Sequence, residues 1–434
     1  MKQSLQRVAA GFGANAFAQA TNTAIQLLSL PLFLGKWSAA TYGTWLILTA
    51  LPSYFYLADG GMLTAAANRM TMATARSDVI EANAAFQSAI VFVCIVCLLV
   101  AAVAVPLVLW LPLASLDSHD HRIALVALIF AVLLQLCAGL ADAQFKATGR
   151  YAKGIWLNAL GVQLGGWAGS MVGLYTIGSY SAVAIGSFLA QFVALGVLIA
   201  VATRGTHGMT WGWRYASWAE VRMLLKPALS FMAFPLSNAL TLQGLTLLVG
   251  HLFGAVAVAV FNTSRTLARI LVQVNSLLSY ALWPEFSRLY GKGNTEALSR
   301  AYRHSALAGC APPIILSLVL YFAAPWLVRV WTHGAIVIDD TLMLALLVYA
   351  AVGGLWHIPR ILLMATNQHI ELAQWSVLIA VLMLGVAYAL AHLMGLPGVG
   401  FAMLLSEATL AAICVHLAGR ALARARPQLK RAVS

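Results

Sequence analysis

Two arginines lie one helical turn apart inside a long apolar stretch of this chain. Arg265 and Arg269 share a helical face with three polar residues, Asn262, Gln273 and Ser276. A guanidinium group holds phosphate oxygens through a planar pair of hydrogen bonds. The spacing therefore predicts a binding site for a phosphate-bearing anion, with Asn262 and Gln273 as further contacts.

A second polar line runs along the apolar stretch nearest the amino terminus. Its members are spaced four, three, four and three positions apart, which places all of them on one face of a helix. They are Asn15, Gln19, Asn22, Gln26 and Ser29. A line of amides facing lipid is costly, so this face should contact protein or water. We predict that the four amides also bind substrate.

Two acidic residues within apolar stretches are candidates for coupling to protons or sodium ions. Glu407 lies in the middle of the last stretch, and Asp59 lies toward one end of the second. The alternatives are a structural partner for the two arginines and, for Asp59, a helix cap. A third acid, Asp142, stands four residues before Lys146 near a helix end, which favours a simple surface ion pair.

Catalytic chemistry has no clear signature in the sequence. No Ser/His/Asp set, pair of carboxylates or glycine-rich phosphate loop stands out. We therefore expect no enzyme, no catalytic residue, no metal centre and no bound cofactor.

The composition indicates a membrane protein. The chain is 62% hydrophobic and 9% charged, against about 45–50% and about 25% for a soluble domain. In hydrocarbon, apolar stretches of about 20 residues must be helical, because every backbone amide needs a partner within its own segment. Numbered in chain order, the stretches are residues 12–34, 42–67, 84–112, 123–146, 154–177, 181–202, 227–251, 256–282, 302–327, 340–365, 370–393 and 399–419. The pattern predicts an all-α polytopic membrane protein with about twelve transmembrane helices.

Basic residues are concentrated in every second gap between these stretches. Most of the 26 lysines and arginines fall at the chain ends or in and beside the even-numbered gaps. The exceptions are Lys36, Arg122 and Arg329, which lie in odd-numbered gaps, and three arginines inside the stretches. Such segregation follows the positive-inside rule and predicts a multi-pass protein with both termini in the cytoplasm. The net charge of +13 then belongs to cytoplasmic loops, and we expect no nucleic-acid partner.

Short matches recur half a chain apart and indicate an internal repeat. Gly35 and Tyr42 recur as Gly254 and Phe261, Pro106 recurs as Pro325, and residues 147–149 recur as 365–367. Because each half holds an even number of helices, the halves should be related by a pseudo-twofold axis along the membrane normal, with a cleft between them. We predict an N-terminal six-helix lobe over 1–202, a cytoplasmic interfacial linker over 203–226, a C-terminal six-helix lobe over 227–419 and a basic cytoplasmic tail over 420–434.

Two segments carry a resemblance to a known family. The segment PLFLGKWSAATYGTWLILTALPSYFYLADGGMLTAAANRM resembles the amino-terminal two-helix signature of bacterial polysaccharide flippases of the Wzx type and related polysaccharide transporters. These belong to the multidrug/oligosaccharidyl-lipid/polysaccharide exporter (MOP) superfamily. The segment LWPEFSRLYGKGNTEALSRAYRHS is similar to the cytoplasmic link after helix 8 in the same family. The resemblance implies two six-helix lobes around a V-shaped central cavity, lined largely by helices 1, 2, 7 and 8.

The resemblance also implies a function. The implied protein is a flippase of the bacterial inner (cytoplasmic) membrane that moves an undecaprenyl-pyrophosphate-linked oligosaccharide to the outer leaflet by alternating access. Such transport serves O-antigen, lipopolysaccharide or exopolysaccharide biosynthesis. The basic clusters that lipid II flippases of this superfamily carry in helices 1 and 2 are absent here, so pyrophosphate binding should depend on Arg265 and Arg269.

Partners and an alternative function follow from the same resemblance. The expected partners are the lipid-linked oligosaccharide and membrane lipids, with a glycan polymerase and a chain-length regulator as further candidates, around a monomeric transporter unit. The alternative is a cation-coupled multidrug antiporter on the same scaffold. An antiporter needs an acidic cavity, whereas the charge inside the eighth stretch is positive.

Overall fold

The computed structural model describes residues 2–110, 118–204, 208–291 and 293–432, and the regular secondary structure of these residues is helical. The helices of the first half are α1 (Lys2–Leu34), α2 (Ala39–Ser53), α3 (Met62–Ala75), α4 (Val79–Trp110), α5 (His119–Ala147), α6 (Tyr151–Leu157), α7 (Gly166–Thr176) and α8 (Tyr180–Thr203). Those of the second half are α9 (Trp218–Ala239), α10 (Leu245–Gly291), α11 (Thr295–Trp331), α12 (Asp340–Ala365), α13 (Ile370–Met394) and α14 (Leu396–Ala432). The predicted all-α class is confirmed.

Each predicted stretch lies on helical structure as far as the described residues reach, but several helices are interrupted. The second stretch consists of α2, a 3₁₀ turn over Tyr54–Leu57, and α3. The fifth consists of α6, a π-helical segment over Asn158–Gly165, and α7. The seventh consists of α9, a π-helical segment over Leu240–Gly244, and the start of α10. The eighth begins after Gly254, where α10 kinks because this glycine adopts a φ of 80°.

Fewer helices than the predicted twelve are individually suited to cross a membrane. Among the described residues, eight are long and apolar enough, and nine when the bent pair α2 and α3 counts as one span. The amides of α1 lower its hydropathy, and the π-helical segment divides the fifth stretch into short helices. The seventh and eighth stretches are joined in one apolar segment, Phe231–Gln273. The difference therefore reflects polar residues and helix breaks within membrane-length stretches.

The chain divides into two compact units. The first unit contains residues 1–38 and 44–235, and the second contains residues 39–43 and 236–434. Within the first unit α5 packs against α3 and α8, and within the second α12 packs against α10, α11 and α14. The predicted lobe boundaries, the pseudo-twofold axis and the central cavity stay predictions.

The sequence repeat has a structural counterpart at two helix ends. Thr148 follows α5, and its N–H and hydroxyl both donate to the carbonyl oxygen four residues earlier, at 3.0 and 2.8 Å. Thr366 follows α12 and donates in the same way, at 3.0 and 2.9 Å. The next residues, Gly149 and Asn367, have left-handed φ values of 70° and 56°. Glycine and asparagine are the residues that tolerate this conformation after a helix, which explains the match.

The described part of the segment between α8 and α9 is non-helical and is held against α4. Asn83 donates to the carbonyl oxygen of Gly208 at 3.0 Å and accepts the N–H of Thr210 at 2.9 Å. Gln87 donates to the carbonyl oxygen of Thr210 at 3.0 Å and accepts the N–H of Tyr215 at 2.7 Å. Because both amide side chains are buried, these bonds attach the predicted linker to the first unit.

Candidate functional site

Arg265 is buried within the second unit, and both of its terminal nitrogens are hydrogen-bonded. Nη1 donates to the carbonyl oxygen of Leu242 at 2.7 Å, and Nη2 donates to Oγ1 of Thr246 at 3.0 Å and to Oδ1 of Asn262. The guanidinium carbon lies 5.0 Å from the centre of the Phe261 ring. Only 6% of the residue is exposed, so in this conformation Arg265 has little surface for a ligand.

These bonds connect the seventh stretch to the eighth. Leu242 belongs to the π-helical segment Leu240–Gly244, where the wider turn interrupts the regular hydrogen-bond ladder. Neutral oxygens therefore surround the Arg265 guanidinium, where a carboxylate was the expected scaffold partner. The geometry favours a scaffold role for Arg265 and Asn262.

Arg269, one turn further along α10, has a different environment. The residue is half-buried, and no hydrogen bond or ion pair joins it to another residue that the structure describes. Its electrostatic neighbours are Arg265 and Tyr349 of α12. Gln273 follows on the same helix and is also half-buried. Of the two predicted anion-binding arginines, Arg269 is the one whose donors are uncommitted to described residues.

Glu407 of α14 lies against α12. Its Oε1 accepts a hydrogen bond from Nε1 of Trp356 at 2.8 Å. The same oxygen lies so near the α12 backbone that a Cβ atom on Gly353 would be 2.9 Å from it. Arg360 interacts electrostatically with this carboxylate. These contacts favour the structural-partner alternative for Glu407, and its coupling role stays a prediction.

Both ends of the polar line on α1 contact the fifth stretch. Oδ1 of Asn15 accepts a hydrogen bond from the Tyr151 hydroxyl at 3.4 Å. At the other end, Oγ of Ser29 accepts one from Nε1 of Trp167 at 2.9 Å. The line therefore faces protein at both ends, as the cost of exposing amides to lipid predicts.

The middle of the same line is more open. Gln19 and Gln26 are half-buried, and Asn22 is exposed. Nε2 of Gln26 donates to Oδ1 of Asn22 at 3.3 Å. These three amides are the part of the predicted α1 site that the fifth stretch leaves accessible.

Asp59 caps the amino-terminal end of α3. Its Oδ1 accepts the N–H of Gly61 and its Oδ2 accepts the N–H of Leu63, both at 3.2 Å. A carboxylate at this position satisfies free backbone donors and is favoured by the helix dipole. The capping alternative is thus realised, and the coupling role of Asp59 stays a prediction.

The predicted surface pair between Asp142 and Lys146 is wrong. Nζ of Lys146 donates to Oδ1 of Asn68 at 3.0 Å. Oδ2 of Asp142 accepts instead from Nδ2 of Asn158 at 2.6 Å. Asn158 reaches the acid because α6 returns along α5 after the turn at 148–150, a packing contact that residue spacing does not reveal.

Sequence reasoning also missed the cavity around this acid, here named the Asp142 pocket. Its volume is about 350 Å³. The polar side chains that line it are Asn15, Tyr56, Asp142, Tyr151, Asn158 and Gln163. An acid inside one apolar stretch and two amides inside the next were the available signal.

Comparisons with known proteins agree with this architecture. A family model described as "Polysaccharide biosynthesis protein" matches residues 38–332. No curated protein matches the chain in sequence. In fold, the chain is similar to an inward-facing multidrug resistance MATE family transporter of the MOP superfamily, with a TM-score of 0.76 at 13% identity over 93% of this chain and 95% of that chain. An outward-facing transporter of the same description matches with a TM-score of 0.69 at 13% identity, over 98% of this chain and 96% of that chain.

The family match and the fold point the same way. The matched residues span α2 through α11, and the structural likeness extends over nearly all of the chain. At 13% identity that likeness concerns the fold alone. The chain therefore belongs to the polysaccharide biosynthesis protein family and is a multi-pass membrane protein with the fold of MOP-superfamily transporters.

Proposed function

We propose that this protein is a flippase for an undecaprenyl-pyrophosphate-linked oligosaccharide. It moves its cargo from the cytoplasmic to the outer leaflet of the bacterial inner membrane, for O-antigen, lipopolysaccharide or exopolysaccharide biosynthesis. Family membership supports a role in polysaccharide biosynthesis, and the fold supports membrane transport. The basic even-numbered gaps support cytoplasmic termini.

This proposal depends on the position of Arg269 and on the hydrogen-bond donors of its guanidinium group. At about 1.5 Å per residue, Arg269 lies roughly 22 Å along α10 from the kink at Gly254, well inside a hydrocarbon core about 30 Å thick. An arginine there costs about 2.5–3.5 kcal/mol on insertion scales, so such residues usually serve a cavity or a partner. Because no described residue accepts a hydrogen bond from its guanidinium group, Arg269 can bind two oxygens of a pyrophosphate.

The remaining residues take supporting roles in this mechanism. Arg265 holds the seventh and eighth stretches together beside Arg269, and Gln273 adds an amide on the same helix. Gln19, Asn22 and Gln26 offer amides to sugar hydroxyls. Flipping breaks no covalent bond, so the protein needs no catalytic residue or cofactor. Transport requires only that the two access states bind the cargo differently.

The test is glycan export by a strain that depends on this protein. Arg269→Gln should abolish surface glycan and leave lipid-linked intermediates on the cytoplasmic leaflet, while Arg269→Lys keeps the charge and should retain part of the export. Arg303→Gln removes an exposed arginine in the third turn of α11 and should export normally. Normal export by Arg269→Gln, at wild-type membrane levels, would overturn the proposal.

The fold likeness to a multidrug resistance transporter favours one alternative, a cation-coupled antiporter. It predicts dye efflux from proteoliposomes driven by a sodium or proton gradient, lost in Glu407→Gln or Asp59→Asn. The flippase proposal predicts no such efflux. Efflux without any effect of gene deletion on glycan would therefore replace the flippase by the antiporter.

A further inference from the structure

The Asp142 pocket is a polar cavity among helices of the first unit. It has no role in the mechanism proposed above. Its lining side chains come from α1, from the 3₁₀ turn of the second stretch, from α5 and from the fifth stretch. All of these segments belong to one compact unit. At about 350 Å³, the pocket falls within the range of small-molecule sites, about 300–1,000 Å³.

The Asp142 carboxylate is incompletely satisfied. Asn158 donates to one oxygen, whereas Oδ1 is buried and has no hydrogen-bond donor among the described residues. Lys146, the nearest base in sequence, donates to Asn68. A buried acceptor without a donor destabilises the folded state, because it has lost its hydrogen bonds to water. An acid kept at that cost inside a membrane helix indicates a binding role.

The fifth stretch shapes its side of the pocket with an unusual helix. Asn158 and Gln163 both belong to the π-helical segment Asn158–Gly165. A π-turn rotates side chains away from their α-helical positions, and such turns occur frequently at functional sites. Asn158 holds the carboxylate in place, and the exposed Gln163 leaves its amide accessible.

The lining chemistry defines the class of ligand. The pocket contains one carboxylate, three amides and two phenols, and neither lysine nor arginine is among the described lining residues. The NH₂ group of Asn15 donates to the carbonyl oxygen of Gly11 at 2.8 Å, and that of Asn158 donates to Asp142. The remaining groups are mainly acceptors. They suit a ligand that brings several hydroxyl donors and no negative charge.

We propose that the Asp142 pocket binds a sugar ring of the transported glycan through its hydroxyl groups. This inference rests on the proposed function for the identity of the cargo. Asp142 accepts hydroxyl hydrogens, Asn158 orients the carboxylate, and Gln163 contributes an amide. The half-exposed phenols of Tyr56 and Tyr151 flank the ring. Sugar recognition is thus assigned to the first unit, whereas Arg269, the proposed phosphate ligand, lies in the second.

The competing occupant is a bare cation, and the size of the pocket disfavours it. A cavity of about 350 Å³ far exceeds the volume of a sodium ion with its ligands. Because carboxylate and amide oxygens can also ligate a hard cation, the test includes sodium.

The test measures sugar binding to the purified full-length protein in lipid nanodiscs. Saturation-transfer NMR with glucose, galactose, N-acetylglucosamine and rhamnose, each alone, should detect binding of at least one sugar. Asp142→Asn and Gln163→Ala should weaken that binding about tenfold, as the loss of about 1.4 kcal/mol predicts. Gln163 is exposed, so its variant keeps the test valid if Asp142→Asn fails to fold. Asp340→Asn, an exposed acid in the first turn of α12, should bind as the wild type does.

Each other outcome overturns the proposal. Absence of binding by all four sugars does so, and so does equal binding by wild type and both pocket variants. A sodium-dependent change of Trp156 fluorescence that is lost in Asp142→Asn, without any sugar effect, would make the pocket a cation site. Arg269→Gln separates the two proposals, because it should lose glycan export yet keep sugar binding.

Discussion

Thr148 and Thr366 end their helices with the same pair of hydrogen bonds, one from the backbone N–H and one from the hydroxyl, to the carbonyl oxygen four residues earlier. Each hydroxyl should therefore stabilise its own unit, and that of Thr148 also accepts a hydrogen bond from Nε of Arg150 at 3.2 Å. We expect Thr148→Val and Thr366→Val each to lower the free energy of unfolding by about 1 kcal/mol, with additive effects in the double variant. Thermal unfolding of the purified protein in detergent measures this.

A matched control for this pair is Thr176→Val. The Thr176 hydroxyl donates to a helix carbonyl at 2.7 Å, but the residue is exposed. Water can replace its bond, so the effect should stay within about 0.5 kcal/mol. An effect at Thr148 or Thr366 no larger than that at Thr176 would contradict the stabilising role of the hydroxyl bond at that helix end.

Arg265 should be a stability residue. Arg265→Met removes the guanidinium donors from the Leu242 carbonyl and from Oδ1 of Asn262, and leaves both to the Thr246 hydroxyl, which lies 2.8 and 3.4 Å from them. We expect a loss of about 1–3 kcal/mol, and a smaller loss for Arg265→Lys, whose single nitrogen can replace part of the guanidinium bonding. Arg303→Met, at an exposed site, should leave the unfolding temperature unchanged. An Arg265→Met protein as stable as the wild type would exclude the scaffold role.

Gly353 should be required for the contact between Glu407 and Trp356. A methyl group at Gly353 would lie 2.9 Å from Oε1 of Glu407, closer than carbon and oxygen normally approach. Gly353→Ala should displace the carboxylate from Trp356 and change the emission of this indole, with only a small loss of stability because the displaced atom is the far end of a flexible side chain.

The control for this substitution lies in the next helix along the chain. Gly385 in α13 has open space around the position of a Cβ atom. Gly385→Ala should be neutral or stabilise by about 0.5–1 kcal/mol, because alanine is the better helix former. If the two variants behaved alike, the close approach of Glu407 to α12 would be disproved.

Arg69 should hold the start of α9 in the first unit. Its guanidinium forms ion pairs with Glu220 and, at 3.4 Å, with Glu81, and Glu220 is only 7% exposed. Arg69→Met leaves the buried Glu220 carboxylate with one partner fewer and should cost about 3–5 kcal/mol. The double variant with Glu220→Gln should recover most of that loss, measured by unfolding in a double-mutant cycle. Additive losses would show that the pair is not coupled.

The spacing of residues in the sequence predicted part of the candidate site. Arg265, Arg269, Asn262 and Gln273 were recognisable because one helical face gathers them whatever the rest of the fold does. The spacing did not reveal that Arg265 is a buried scaffold residue, whereas the donors of Arg269 are uncommitted to described residues. This difference depends on a π-turn at Leu240–Gly244 that exposes a carbonyl oxygen to Arg265.

The Asp142 pocket shows the other limit. Asp142 and Lys146 are one turn apart in sequence, so a local rule pairs them. Tertiary packing instead brings Asn158 to 2.6 Å from the acid and Asn68 to 3.0 Å from the lysine. Contacts between helices compete with contacts along a helix, and sequence spacing describes only the latter.

The sequence by itself determined the all-helical membrane class, the length of the apolar stretches and the repeat in which Thr148 and Thr366 are matching positions. These features follow from local physics, because hydrocarbon requires satisfied backbone amides and a helix end requires a residue that tolerates positive φ. Only the tertiary structure decided which polar side chains satisfy one another and which keep donors or acceptors for a ligand. That choice depends on distances of a few ångströms between helices, as at Arg265 and Asp142, and no single stretch of sequence encodes them.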